Sequence, residues 1–208
     1  MKKRNKLVIV IGNVGVGKTT LTDLLAKQLP AKKIAADLYK QNPFFDLAVK
    51  NRRRWSLASD IWFLYKRVER MRKAVDWLNK RHVVVDSGLP MSLVYSRSRI
   101  ECGHFIREEW ELYEQINSEF SSNLKKPDVV VVLESPVDLL RQRIVGRNRD
   151  FEIKKYKIGY LKTLSKNISL VAKKLKKEKI KIIKVNIKQF DFISNKKDLN
   201  NLIKEILS

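Results

Sequence analysis

Near the N-terminus the chain reads Gly12-Asn13-Val14-Gly15-Val16-Gly17-Lys18-Thr19-Thr20, residue types and a spacing suited to holding a polyphosphate. Glycines let the backbone turn its N–H groups inward around phosphate oxygens, and a helix that follows adds its positive N-terminal end. In such a loop Lys18 would reach the β- and γ-phosphates, and the Thr19 hydroxyl would be a Mg²⁺ ligand. The context agrees. Leu7-Val8-Ile9-Val10-Ile11 precedes the loop as a short, branched apolar run, and Leu21, Leu24, Leu25 and Leu29 follow it at helical spacing. Strand, glycine loop and helix in that order define a nucleotide-phosphate site.

Further chemistry-bearing residues fall at the ends of apolar runs. Asp37 closes Lys33-Ile34-Ala35-Ala36, and Asp86 closes His82-Val83-Val84-Val85. In open α/β sheets ligands bind beyond the carboxyl ends of the strands, so both acids would face the crevice that holds the glycine loop. A strand-end carboxylate there is suited to orienting Mg²⁺ and its waters, the role expected of Asp86. Arg141, Arg143, Arg147 and Arg149, with Glu152 close behind, form a cluster broken by Gly146 and Asn148, which reads as a phosphate-binding flap. Ser56, Asp60 and Arg67 share one stripe of a long helical pattern, where buried charges need partners or a ligand.

The elements that must position these residues follow from periodicity. The first helix runs to about Leu29, and the next strand is expected over Lys33–Asp37. One long helix spans Arg52 to about Lys80, and a strand covers His82–Asp86. Ser87-Gly88 breaks that strand, and the Ser- and Arg-rich stretch through Arg99 reads as a loop. A helix follows over about Glu108–Leu124, then a strand over Val129–Leu133, then a helix from Pro136 that ends in the arginine cluster. A further helix to about Lys177, a strand over Ile180–Val185 and a terminal helix near Lys197–Leu207 complete the chain. The expected fold is α/β: a single domain, residues 1–208, with a doubly wound sheet of about five parallel strands, helices on both faces and an arginine-rich lid at about 143–152.

Composition bounds the function. A chain of 208 residues suits one α/β domain. No apolar run approaches membrane-spanning length, and Met1-Lys2-Lys3-Arg4 leads straight into the first strand, so no signal peptide is expected. The lone cysteine, Cys102, suits a reducing cytoplasm. The net charge of +23 would suit a nucleic-acid partner. Against that, the lysines of the last third, Lys173 to Lys184, sit among Ile and Asn without aromatic residues to stack bases, as on solvated faces.

With these motifs in place the chain resembles the deoxynucleoside kinases, the deoxyadenosine, deoxyguanosine and deoxycytidine kinases, over nearly its whole length. Asp37 followed by Asn42-Pro43-Phe44, then Arg54-Trp55-Ser56, Asp86-Ser87, Gly103 with Glu109-Trp110 and Tyr113, and Arg143, Arg147-Asn148-Arg149 and Glu152 in the pattern R-x-x-x-R-x-R-x-x-E carry that resemblance. It implies ATP-dependent phosphorylation of a nucleoside 5′-hydroxyl with Mg²⁺, in a dimeric enzyme. By the same resemblance Asp37 would be the general base, and Asp86 with Thr19 would hold Mg²⁺. Arg147 and Arg149 would close on the transferring phosphoryl group, and Arg143 would stack on the donor adenine. That adenine would pack near Val185-Asn186 through Phe190. Glu152 would contact the sugar 3′-hydroxyl, and Trp55, Asp60 and Arg67 would shape the base pocket.

The departures cluster in the acceptor half. Asp37 stands where the family usually has Glu, and Ser87 replaces an arginine. Val49 replaces a sugar-clamping Tyr, Asp60 replaces a base-reading Gln, and Ser92 replaces the acid that neutralises Arg67. An ionised Asp60 can only accept hydrogen bonds, which suits the two adjacent donors of guanine, unless Arg67 takes it as a counter-ion. Two other functions fit parts of the pattern. One is a monophosphate kinase of the thymidylate kinase type, with Arg97 and Arg99 as acceptor-phosphate ligands. The other is a basic nucleotide- or RNA-binding module without turnover.

Overall fold

The computed structural model describes residues 4–36 and 39–208. Asp37, the expected general base, lies outside the described residues. The sheet has five parallel strands, β1 (Leu7–Gly12), β2 (Lys32–Ile34), β3 (Val83–Asp86), β4 (Val129–Glu134) and β5 (Lys181–Asn186), in the order β2-β3-β1-β4-β5. The central strand β1 is wholly buried, so its Val/Ile/Leu run has no polar side, as a doubly covered parallel strand requires. Alternate residues feed two cores. Leu7, Ile9 and Ile11 pack with Met71, Met91, Val94, Leu164 and Ile168 on one face. Val8 and Val10 pack with Leu21, Leu25, Leu140, Ile144, Leu202 and Ile206 on the other.

The first of these faces is covered by α3 (Arg52–Leu78), α4 (Pro90–Glu101) and α8 (Ile158–Lys177), and the second by α1 (Lys18–Gln28), α6 (Val137–Gly146) and α9 (Lys196–Leu207). Asn51 starts α3, its side chain accepting from the Arg54 N–H at 3.0 Å. Between β2 and α3 stand a turn of 3-10 helix (Tyr39–Gln41) and α2 (Phe45–Lys50). Outside the sheet α5 (Arg107–Ser122) packs on α3 through Leu64, Val68, Phe105 and Tyr113. A short helix, α7 (Asp150–Lys155), connects α6 to α8.

Three expectations need correction. β2 stops at Ile34 instead of reaching Asp37. The helix expected to end in the arginine cluster stops at Gly146, so that Arg147 to Arg149 form the turn between α6 and α7. The Ser- and Arg-rich stretch is not a loop but α4, wedged between α3 and α8. Ser92, Ser96 and Ser98 are fully buried in it. Two of these serines satisfy their hydroxyls along their own helix: Ser98 Oγ donates to the Val94 carbonyl at 2.7 Å, and Ser96 Oγ to that of Leu93 at 3.2 Å. A small side chain that bonds back to its own backbone can be buried where polarity argues for a loop.

The tight seam makes a stability prediction. Ser98 also accepts from Asn167 Nδ2 on α8 at 3.1 Å, so Ser98→Leu adds bulk where no space exists. Thermal denaturation should show a loss of about 1–3 kcal/mol, as for other overpacked cores. An unchanged melting temperature would mean that α4 and α8 do not meet at Ser98.

Candidate active site

The glycine loop joins the end of β1 to α1. A Cβ on Gly12 would lie 2.9 Å from the Leu133 carbonyl of β4, so only glycine permits the close strand approach there. Gly17 precedes α1 with φ 104°, a left-handed conformation that turns the loop into the helix. Asn13 fastens the loop to α8, its Nδ2 donating to the Leu161 carbonyl and to Ser165 Oγ, both at 2.8 Å. Its Oδ1 accepts from the Val14 N–H at 2.8 Å. Val16 is buried in the core beneath the loop, Gly15 lies against α6, and Thr20 is exposed at the start of α1. Lys18 Nζ donates to the Asn13 carbonyl at 2.9 Å. Burial lowers the Lys18 pKa to about 8; Asp86 opposes that shift, and Arg147 adds to it.

Strand register brings the metal-binding candidates together. Val10 of β1 pairs with Asp86 of β3, which sets this carboxylate beside the loop at the carboxyl edge of the sheet. Thr19 Oγ1 donates to Asp86 Oδ2 at 2.6 Å, and Ser87 Oγ donates to Asp86 Oδ1 at 2.8 Å. Arg143 Nη1 reaches the Val16 carbonyl at 3.4 Å, so this arginine flanks the loop on the side where a donor nucleotide would lie. The expected adenine segment follows β5. Phe190 packs there against the core, and the Phe192 ring approaches Gly17.

Ser87 also lines a cavity of about 160 Å³, walled by Tyr39, Phe45, Phe63, Tyr95, Phe151, Tyr156 and Tyr160. Polar groups on its wall are Asp60, Arg67, Arg99, Glu152 and Lys155. Arg67 Nη1 donates to Ser92 Oγ at 3.0 Å, and its guanidinium lies 5.6 Å from the Phe63 ring centroid and 5.5 Å from that of Tyr95. Trp55 is not on this wall: its ring stacks on Phe44 at 6.1 Å, with Arg54 over it at 4.4 Å. Val49 does not line the cavity either.

Asp60 has a partner that the helix stripe did not anticipate. Arg99 Nε donates to its Oδ2 at 2.9 Å and Arg99 Nη2 to its Oδ1 at 3.2 Å, with both residues buried. Burial alone would lower the Arg99 pKa, but the Asp60 carboxylate overrides this and holds it above the ordinary value. The counter-ion is therefore Arg99 from α4, where the stripe pointed to Arg67. The bidentate grip engages both oxygens that were to read guanine. It also takes Arg99 away from acceptor-phosphate binding. Arg97 lines a separate pocket with Leu93, Glu114, Leu170, Val171 and Lys174.

In the lid, Arg149 Nη1 donates to Glu152 Oε1 at 3.1 Å, while Glu152 Oε2 is buried without a hydrogen-bond partner among the described residues. Arg147 caps α6 and is exposed. Arg141, which also stood in the phosphate cluster, does other work. Its Nη1 donates to the Ile153 and Tyr156 carbonyls at 2.9 and 3.3 Å, closing the C-terminal end of α7.

Several wall residues escaped the sequence, although their signals exist. Phe63 lies between Asp60 and Arg67 on the same α3 stripe. Tyr95 falls on the same face as Ser92 and Arg99 once α4 is recognised as a helix. Lys155 stands one turn beyond Glu152.

The fold and the glycine loop are those of a P-loop phosphotransferase, and an aromatic cavity lies beside the loop. The model of the deoxynucleoside kinase family matches residues 8–208, and the chain belongs to that family; it is a nucleoside kinase. A deoxyadenosine/deoxycytidine kinase of Bacillus subtilis (strain 168) is 22% identical over 99% of this chain and 93% of its own length. A probable thymidylate kinase of Saccharolobus solfataricus is 27% identical over 88% of this chain and 95% of its own. The structure of a deoxyadenosine kinase from M. mycoides, with products dCMP and a flexible dCDP bound, shares the fold at a TM-score of 0.79 and 20% identity, covering 96% of this chain and 98% of that one.

The Asp60–Arg99 pair can be tested by a double-mutant cycle. Removing one partner of a buried pair strands the other charge, so Asp60→Ala and Arg99→Met should each cost about 3–5 kcal/mol in chemical denaturation. The double variant should lose clearly less than the sum of the two. Additive losses would show that the two side chains do not act as a pair.

Proposed function

We propose that this kinase moves the γ-phosphoryl group of Mg-ATP to the 5′-hydroxyl of a (deoxy)nucleoside seated in the aromatic cavity, releasing ADP and the nucleoside monophosphate. One observation carries the reading. Thr19 of the phosphate loop, Asp86 and Ser87 form a continuous hydrogen-bonded chain, and Ser87 is itself part of the cavity wall. The donor loop and the acceptor cavity thus meet at a single carboxylate.

Lys18 and the loop N–H groups bind the phosphates. Thr19 and Asp86 are hard oxygen ligands of the kind Mg²⁺ takes alongside phosphate oxygens and water, and they would hold it; the bound ion supplies charge neutralisation. Asp37, just past the end of β2, is proposed as the base that accepts the hydroxyl proton. Arg147 and Arg149 neutralise charge that develops on the moving phosphoryl group, and Arg143 stacks on the adenine. Oε2 of Glu152, unpartnered among the described residues, is suited to accept from the sugar 3′-hydroxyl. Asp60 and Arg67 bound the base region.

A monophosphate acceptor is disfavoured, because Arg99 is tied to Asp60 and Arg97 faces another pocket. Among the described residues no helix is long and apolar enough to cross a membrane. The lone cysteine, Cys102, suits a reducing compartment, and on that ground we place the reaction in the cytoplasm. A homodimer through α3 and α5 would cover the exposed Tyr65, Leu112 and Phe120, and sedimentation velocity would detect it.

A screen of nucleosides and nucleoside monophosphates with Mg-ATP, reading ADP release, tests the function. Nucleosides should turn over, monophosphates should not, and Lys18→Ala should abolish transfer without lowering the melting temperature. The lowered Lys18 pKa adds a signed pH effect. In the free enzyme the ammonium loses its proton as pH rises through about 8, so kcat/KM for ATP should fall there. Bound phosphates favour the charged form, so kcat should hold to higher pH. A kcat/KM that rises through this range would remove Lys18 from phosphate binding.

Arg147→Ala and Arg149→Ala should lower kcat more than they raise the KM for ATP. The loss should be on the order of a hundredfold, as for other donors aimed at transition-state charge. An effect confined to KM would make them docking residues.

A further inference from the structure

The cavity wall carries more hydrogen-bond donors than its own acceptors can satisfy. Asp60 has both oxygens committed to Arg99. Glu152 has one oxygen on Arg149 and the other set toward the sugar in the reading above. Two donors on the same wall have no hydrogen-bond acceptor among the described residues. One is Lys155, which is half-buried at the end of α7. Its Nζ lies 4.6 Å from the Phe45 ring centroid and 5.5 Å from that of Tyr156. The other is the Tyr160 hydroxyl, on a side chain only 8% exposed.

We propose, resting on the nucleoside-kinase reading, that Lys155 is a specificity-determining residue that donates to a carbonyl oxygen of the acceptor's base. The pocket then selects oxo bases over their amino counterparts, with Tyr160 as an auxiliary donor. The ammonium stands one helical turn from Glu152, the sugar-side residue, and on the same wall as Asp60, at the base end. An exocyclic amino group placed there would set donor against donor and strand both without partners, whereas a carbonyl oxygen would accept. A site built around a buried donor rejects the analogue that cannot satisfy it.

Burial, together with Arg99 and Arg52, lowers the Lys155 pKa to about 7, against the opposing pull of Asp60 and Glu152. Below that pH the side chain is an ammonium, which donates only, and the selection for an oxo group belongs to this form. The aromatic rings of Phe45 and Tyr156 shield its flanks and leave the cavity side for the ligand.

Matched pairs of nucleosides exchange amino for oxo and, with it, turn the adjacent ring nitrogen from acceptor to N–H donor; the Lys155→Met comparison separates the two changes. Deoxyinosine against deoxyadenosine, and deoxyuridine against deoxycytidine, should be titrated calorimetrically into the full chain at pH 6, where the ammonium form prevails. The parent should bind the oxo member of each pair roughly tenfold more tightly, the worth of one charge-assisted hydrogen bond. In Lys155→Met that ratio should fall to within about threefold, and Tyr160→Phe should lower it less. Binding does not depend on turnover, so the two ideas fail differently. Tighter binding of the amino members by the parent, or an oxo preference that survives Lys155→Met, overturns the role of Lys155 and leaves the kinase reading intact. Binding of ATP but of no nucleoside overturns the acceptor assignment and the base preference together. Tyr160→Phe also guards against a packing artefact: a Lys155→Met variant that binds all four nucleosides equally poorly, while Tyr160→Phe keeps the parent's full ratio, overturns the proposal.

Discussion

The register of β3 against β1 is the constraint on which the rest of the site depends. Pairing Val10 with Asp86 puts a carboxylate level with the start of the glycine loop, within hydrogen-bond reach of Thr19 on α1. A slip of one residue would turn Asp86 to the opposite face of the sheet, because strand side chains alternate with a period of two. Burial on both faces prevents that slip, since Val84 and Val85 feed different cores. The hydrophobic pattern of two strands thereby fixes the position of Thr19 and Asp86, the proposed metal-binding pair, and Ser87 links it to the aromatic cavity.

The donor and acceptor halves are built on different physical terms. Backbone does most of the work in the donor half: glycine conformations, the N-terminus of α1 and the loop's attachment to α8 through Asn13. The acceptor half is made of side chains from α2, α3, α4, α7 and α8 around an ion pair. Asp60 and Arg99 desolvate each other, a pairing with little net gain in stability but a strong demand on geometry. It holds α3 and α4 in one relation, and α4 in turn carries Ser92 and Tyr95 against Arg67.

The donor half was legible in the sequence because its signal is local. A strand, a glycine loop, a lysine and a threonine lie within one short segment, and the strand-end acid Asp86 follows from the same periodicity. The five-stranded parallel sheet was legible for the same reason. The acceptor half was not, because its decisive contact joins residues 39 positions apart on different helices. No period on α3 reveals that Asp60 faces Arg99, and Arg67 was the cation that its stripe suggested. α4 was hidden by composition: serine and arginine suggest a loop unless their hydroxyls bond back to the helix and their charges find a buried acid, as Ser98 and Arg99 do. The Arg141 contact was hidden as well, because an arginine that closes a helix end reads the same as one that binds phosphate.

The lid gathers these terms into one unit. Arg149 stands at the N-terminal end of α7, and Glu152 and Lys155 follow at steps of three residues, so the three project along neighbouring faces of little more than one turn. In the roles proposed above, Arg149 serves the phosphoryl group, Glu152 the sugar and Lys155 the base. A helix this short has little stability alone. Arg141 supplies the missing support by binding the carbonyls at its far end, and Tyr156, just beyond α7, packs against both cores of the sheet. Phe151 adds contacts of 4.8 and 5.8 Å between ring centroids to Tyr39 and Phe45 across the cavity. Because the unit is stitched together, a base that displaces Lys155 also displaces Glu152 and Arg149. With the proposed roles, base recognition and phosphoryl transfer would be coupled through the rigidity of this short helix, and an ill-fitting acceptor would lose transition-state stabilisation as well as affinity.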